Sequence, residues 1–307
     1  MTFFYVLTIK TNNNMKKIFG YLNLALFAAT TLFITSCGDD EPIVNATAPS
    51  ITESHDFAAT MEPGDTITLK ISGVKGSSSL KTIAVAENDA PLGVDRFTFG
   101  GANQVSSTFL LGGADTSGFS EKVLSIKLPA AAGSYKYSVT LTDSKSKTDK
   151  ISVDVTTVAL EDISSDTLYN SLGPLQGGLE FFVGTHVWKG SDANNPWKGA
   201  HIVDNGNSGD ASNHPWKGEI IRHENTVLRK PATNVTFADV INSKQIKALH
   251  AAGTDIETLK LTPGGVFTAE RDGIYYLVKV TDAQDDGKNS GDNSNLDWSK
   301  YEIKHKK

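Results

Sequence analysis

The sequence predicts a mainly β protein: a β-sandwich followed by a second antiparallel β-rich domain with one or two short helices. Three observations carry this reading. Ile67, Leu69 and Ile71 alternate with Thr68 and Lys70, the two-residue period of a strand with one buried face. Arg271-Asp272-Gly273 separates two strand-like runs, Val266–Glu270 and Ile274–Val280, and an Asp-Gly pair in that setting marks a hairpin. Once an export signal is set aside, about 270 residues are left, more than one small core serves, which predicts two domains.

That signal occupies residues 1–36. Met15-Lys16-Lys17 is a positively charged start, Leu24–Phe33 is an apolar run, and the small residues Thr35 and Ser36 precede Cys37, the single cysteine. Ile34-Thr35-Ser36-Cys37 resembles the lipobox of bacterial lipoproteins, an aliphatic residue and two small ones before cysteine. The resemblance implies cleavage before Cys37, a diacylglyceryl thioether on its sulfur and an acylated amino group. Several acyl chains together hold a protein to the membrane without a spanning helix. Met1–Asn14 then reads as a misassigned start ahead of Met15. Two other readings stand beside this one. Ile18–Ser36, 19 residues, is long enough to span a bilayer. Tyr21, Asn23 and three threonines dilute it, however, and no basic stop-transfer cluster follows. A buried structural thiol is the usual fate of a free cysteine.

Gly38-Asp39-Asp40-Glu41 resembles the acidic stretch after the cysteine in lipoproteins that some Gram-negative bacteria flip to the outer leaflet of the outer membrane. It implies a lipid-anchored, surface-exposed outer-membrane protein. A solvated linker is the plainer account of so short an acidic run.

Three of the 29 lysines and arginines precede Cys37 and none of the 35 acidic residues does, so the mature chain carries 26 against 35, a formal charge of −9. That balance argues against nucleic acid, whose binding needs a basic face. It also leaves attachment to the membrane to the lipid on Cys37. With no second cysteine there is no intramolecular disulfide, and stability has to come from core burial. Charged residues at 21% belong to a globular chain.

Pro42–Ser50 reads as a polar tether. From 51 to 158 short strands follow one another. Ile83 and Val85 repeat the alternation, Asn88–Gly93 is a turn, Phe97 and Phe99 continue, and Leu124, Ile126 and Leu128 form another strand before Pro129. Tyr135, Val139 and Leu141 pair with Ile151, Val153 and Val155 across the polar loop Asp143–Lys150. About seven strands in some 110 residues indicate a β-sandwich. Gly133-Ser134-Tyr135-Lys136-Tyr137-Ser138-Val139-Thr140-Leu141-Thr142-Asp143 is similar to the penultimate strand of bacterial immunoglobulin-like domains, and the resemblance implies a spacer or adhesion module with no site of its own.

Ala159–Asp166 reads as a linker, and the second domain runs from 167 onward. A strand is expected near Leu179–Val183. A helix is expected from Thr236, capped by its hydroxyl with Asp239 three residues on, with a second turn from Ser243 to the stop at Gly253. Tyr301-Glu302-Ile303 forms a last strand. This half resembles the C-terminal region of several surface lipoproteins of unknown function.

Thr185–His223 holds the most unusual pattern, three Trp-Lys-Gly triplets: Trp188-Lys189-Gly190, Trp197-Lys198-Gly199 and Trp216-Lys217-Gly218. Offsets of 9 and 19 residues are too irregular for a solenoid and suggest a duplicated turn element. Two arrangements follow. Each tryptophan can pack into the core at its own strand start, the common fate of so large a ring. Alternatively the three build an aromatic floor on which sugar rings stack, with Lys189, Lys198 and Lys217 donating to hydroxyls.

His186, His201, His214 and His223 share this region, but no spacing matches a zinc motif. The acidic loops Asp204–Asp210 and Asp282–Asp297 offer oxygens for calcium yet lack the EF-hand pattern, so solvated loops are the default. No nucleophile elbow, phosphate loop or dinucleotide fingerprint is present, and no cofactor is expected. The sequence therefore points to a surface-anchored lipoprotein acting as a non-catalytic binding or adhesion module, with polysaccharide as the favoured ligand. A structural lipoprotein docking to an outer-membrane or secretion assembly through a protein partner, and a glycoside-active enzyme, are the alternatives.

Overall fold

The structure is a computed structural model that describes residues 46–169, 177–188, 190–191, 194–206, 216–285 and 297–306. Cys37, the acidic run 39–41, Lys189 and His214 lie outside the described residues.

Residues Ala46–Lys307 form one compact unit that contains two β-sandwiches. In the first, one sheet runs β1 (Ser50–Ser54), β3 (Thr66–Val74), β9 (Gly118–Lys127), β6 (Phe97–Phe99), β7 (Ala102–Asn103). The facing sheet runs β2 (Thr60–Met61), β11 (Thr148–Thr157), β10 (Gly133–Asp143), β4 (Leu80–Glu87), β5 (Ala90–Pro91), with β8 (Thr108–Leu110) also on β4. Pairing is antiparallel except between β2 and β11. Alternation explains the core: Ile67, Leu69 and Ile71 of β3 face Ile83 and Val85 of β4 and Val139 and Leu141 of β10, all buried. This is the immunoglobulin-like sandwich expected, with Gly133–Asp143 as its penultimate strand. Asn88 and Asp89 both take positive φ, 49° and 63°, which makes the β4–β5 connection a tight primed turn.

The second sandwich has a sheet in the order β12 (Glu161–Ser164), β23 (Trp298–His305), β22 (Ile274–Gln284), β21 (Val266–Arg271), β18 (Val227–Lys230), β19 (Thr254–Ile256), with β13 (Leu168–Tyr169) also on β23. Its partner runs β15 (His186–Val187), β14 (Gly178–Leu179), β16 (Ile202–Asp204), β17 (Glu219–Arg222), β20 (Thr258–Lys260). The chain passes from one sheet to the other between β17 and β18, and again between β19 and β20 at Glu257, which closes one corner. Arg222 reaches across that corner, its guanidinium 2.9 Å from the exposed Glu257 carboxylate. Phe181, Phe267, Tyr276, Tyr301 and Ile303 fill the space between the sheets. The Asp272-Gly273 hairpin forms between β21 and β22, with φ of 53° and 81° at the two turn residues.

Two expectations need correction. Residues 161–164 of the supposed linker are β12, held to β23 with Ile163 opposite Ile303, so only 158–160 connect the sandwiches. The helix does not start at Thr236, whose side chain makes no cap; Phe237–Asp239 is a single 3-10 turn. The α-helix, α1, is Ser243–Ala252, and Asn242 caps it: its side chain accepts from Gln245 N while the Gln245 side chain accepts from the Asn242 backbone. Asn is a better cap than Thr, and the reciprocal Gln245 settles the start at Ser243, after Asn242 rather than after Thr236. The helix and the 3-10 turn cover the outer face of the first sheet of this sandwich through Phe237, Val240, Ile246 and Leu277. No helix among the described residues is long and apolar enough to cross a membrane.

Candidate ligand surface

The three Trp-Lys-Gly tryptophans have different surroundings. Trp197 is 7% exposed and packs with Ala200 and Val203. Gly178 permits this: a Cβ there would lie 3.1 Å from Ala200 Cβ and 3.5 Å from the Trp197 ring. Trp216 is 8% exposed, belongs to the core between the sheets, and donates its Nε1–H to Asp204 Oδ2 at 2.7 Å. In both triplets the glycine takes positive φ, 93° at Gly199 and 57° at Gly218. The repeated unit is therefore a turn that buries its tryptophan and reverses on its glycine. Trp197 and Trp216 are core residues and cannot serve as a stacking floor, which corrects that expectation. Lys198 is exposed, whereas Lys217 directs its Nζ to Asn205 O at 3.2 Å.

Trp188 is 60% exposed. It follows β15, the edge strand of its sheet, and meets His186 edge-on with ring centroids 5.5 Å apart. His186 is itself held by Asp166, Nδ1 to Oδ2 3.0 Å. The same β14–β15 hairpin exposes Phe182 and Val183 at its tip. The Glu180 carboxylate accepts from Phe182 N at 2.7 Å and Val183 N at 3.0 Å, and this bonding fixes the tip. Gly184, at φ +70°, presses on Ile163, which leaves no room for a Cβ. The hairpin thus presents three large apolar side chains from a fixed backbone. Phe182 and Val183 form the turn rather than part of the strand expected near Leu179–Val183, and Gly184, directly after Val183, is the local sign of it.

A polar network pins the loop that carries Trp197. Glu224 accepts from Asn195 Nδ2 at 3.0 Å and Gly199 N at 3.2 Å and pairs with Arg271. Arg271 Nη1 also donates to Gly199 O and Ala200 O. His201, 4% exposed beneath this loop, is pushed down to about 3 by burial and by the nearby Arg271 charge, so it is neutral. It accepts from Phe181 N through Nδ1 at 3.3 Å. Among the described residues no group of three His, Cys, Asp or Glu side chains could hold a metal. Of the acidic loops, Asp204 is buried against Gly206 N and Trp216, and Asp282–Gln284 belong to β22, which corrects their reading as loop. Residues 207–210 and 286–296 lie outside the described residues. A cleft of about 600 Å³ lies between the 235–238 segment and the sheet, lined by Phe237, Lys279, Glu302 and Lys304. Three of its charged side chains have partners within it: Lys279 pairs with Glu302 at 2.9 Å, and Lys304 donates to Phe237 O at 3.0 Å.

No family model and no curated protein matches the chain. Among solved structures, a conjugative transposon lipoprotein from Bacteroides eggerthii is similar at 14% identity and TM-score 0.27, over 35% of this chain and 96% of that one. The SrpA adhesin from Streptococcus sanguinis is similar at 14% identity and TM-score 0.27, over 44% of this chain and 70% of the adhesin. Tandem Ig repeats of Dlar give 12% identity and TM-score 0.22 over 83% and 96%. Scores this low carry no argument about the site.

Proposed function

We propose that the chain is a lipid-anchored surface protein that binds rather than catalyses, with polysaccharide as its ligand and the β14–β15 hairpin as its contact surface. The supporting observation is the exposure of Trp188 on a fixed edge hairpin, where the other two triplet tryptophans are buried. An indole offers a flat apolar face to the C–H face of a pyranose, and exposed aromatics with a polar edge are favoured at contact surfaces. The lipobox-like stretch at Cys37 supplies the anchor in this reading, and the acidic run after it supplies the surface address. Screening the mature protein against a glycan array, with turnover assayed in parallel, tests the proposal: retention without turnover is expected, and glycan cleavage would make it an enzyme.

The exposed Phe182 and Val183 favour a second reading, in which the same hairpin docks on a protein of an outer-membrane or secretion assembly. An exposed phenylalanine is the kind of aromatic side chain enriched at protein interfaces, and Val183 adds apolar area beside it. Loss of a co-purifying protein partner on Val183→Asp, with no glycan retained, would select that reading.

A further inference from the structure

The two sandwiches meet at an unusual joint. The β2–β3 turn, Glu62-Pro63-Gly64-Asp65, presents two acidic side chains, each only 7% exposed, to the start of α1 in the other sandwich. Glu62 Oε2 accepts from the Ser243 backbone N–H at 2.8 Å, and both carboxylate oxygens accept from Ser243 Oγ, at 2.9 and 2.8 Å. Asn242, the cap of α1, also donates its Nδ2 to Pro63 O at 3.0 Å. Lys244 reaches Asp65 at 2.8 Å and Lys306 reaches Glu62 at 3.2 Å. The turn fits the helix start closely. Gly64 sits at φ +74°, and a Cβ there would be 3.1 Å from Ile241 Cδ1.

Physical weights separate these contacts. The lysine arms are 71% and 65% exposed, and exposed ion pairs contribute little and fade with salt. The Glu62 contacts with Ser243 are part-buried, charge-assisted, and sit at the positive end of a ten-residue helix. The connector is only residues 158–160. Its Val158 N donates back to Met61 O at 2.9 Å, and Leu160 packs on the cluster under α1.

We propose that the Glu62–Asp65 turn is a clamp that caps α1 across the sandwich boundary and makes the two sandwiches one rigid arm. The N-terminal sandwich is then a strut that fixes where the second is held. The claim is independent of what the hairpin binds.

The test is a pair of spin labels on the mature chain carrying Cys37→Ser, at Lys70→Cys in β3 and Thr258→Cys in β20, both exposed strand positions. The parent should give one narrow distance distribution, unchanged in 1 M NaCl. Ser243→Pro removes both donors to Glu62 yet suits the helix, since proline is tolerated at the first helical position and Asn242 already has extended angles, φ −144° and ψ 160°. That variant and Glu62→Ala should each widen the distribution at least twofold. A broad parent distribution, broadening by salt alone, or an unchanged width in either variant would overturn the clamp.

Discussion

Trp216 donates its indole N–H to Asp204 at 2.7 Å inside the second sandwich. The pair explains why a tryptophan in a glycine-rich turn can be structural: the ring fills the core while its polar edge satisfies a buried carboxylate. Trp216→Ala should lose about 3–5 kcal/mol from cavity formation. Trp216→Phe keeps most of the volume but removes that donor, and should lose about 1–3 kcal/mol. Thermal melts should rank parent, Phe and Ala in that order. An Ala variant as stable as the parent would mean the ring is not core.

His201 makes stability depend on acid. Its folded value, about 3, lies below the ordinary imidazole value because burial and Arg271 disfavour the charged ring. The unfolded chain therefore takes up the proton first. The stabilisation is complete above about pH 6.5 and falls, by roughly 1.4 kcal/mol for each pH unit, as pH drops from there toward 3. His201→Gln keeps an acceptor for Phe181 N and does not titrate. Denaturant melts between pH 4 and 7 should show a shallower loss in the variant; parallel curves would remove His201 from the account.

In the proposed reading a thioether on Cys37 is the anchor, so Cys37→Ser should move the protein out of the membrane fraction or leave it unprocessed. Alanine at Asp39, Asp40 and Glu41 should lower protease accessibility on intact cells while attachment persists. Unchanged fractionation and mass after the first substitution would count against lipidation, and unchanged accessibility after the second would reduce the acidic run to a linker.

The strands of the first sandwich were legible because Ile67, Leu69 and Ile71 obey one local rule, burial of alternate residues. The Asp272-Gly273 hairpin was legible for a similar reason, since positive φ has a short list of willing residues. The start of α1 differs from the expectation because Thr236 with Asp239 has the spacing of a cap, while the cap that forms is Asn242, with the Gln245 side chain folded back on it. The Trp-Lys-Gly triplets were the hardest. The Trp-Lys-Gly letters are the same in all three, and only the two buried tryptophans follow a proline, Pro196 and Pro215; their burial also depends on distant partners: Gly178 makes room for Trp197, and Asp204 receives Trp216. The Glu62–Ser243 contact spans 181 residues and has no local signature.

Binding at the β14–β15 hairpin is tested most directly by titrating the polysaccharide retained on the array against Trp188→Ala and Trp197→Ala in parallel with thermal melts. The account predicts that Trp188→Ala leaves stability within about 0.5 kcal/mol of the parent and weakens binding about tenfold or more, roughly 1.4 kcal/mol. Trp197→Ala should instead cost about 3–5 kcal/mol of core packing and lower the melting temperature accordingly. Unchanged affinity in a fully folded Trp188→Ala protein would contradict the proposed surface.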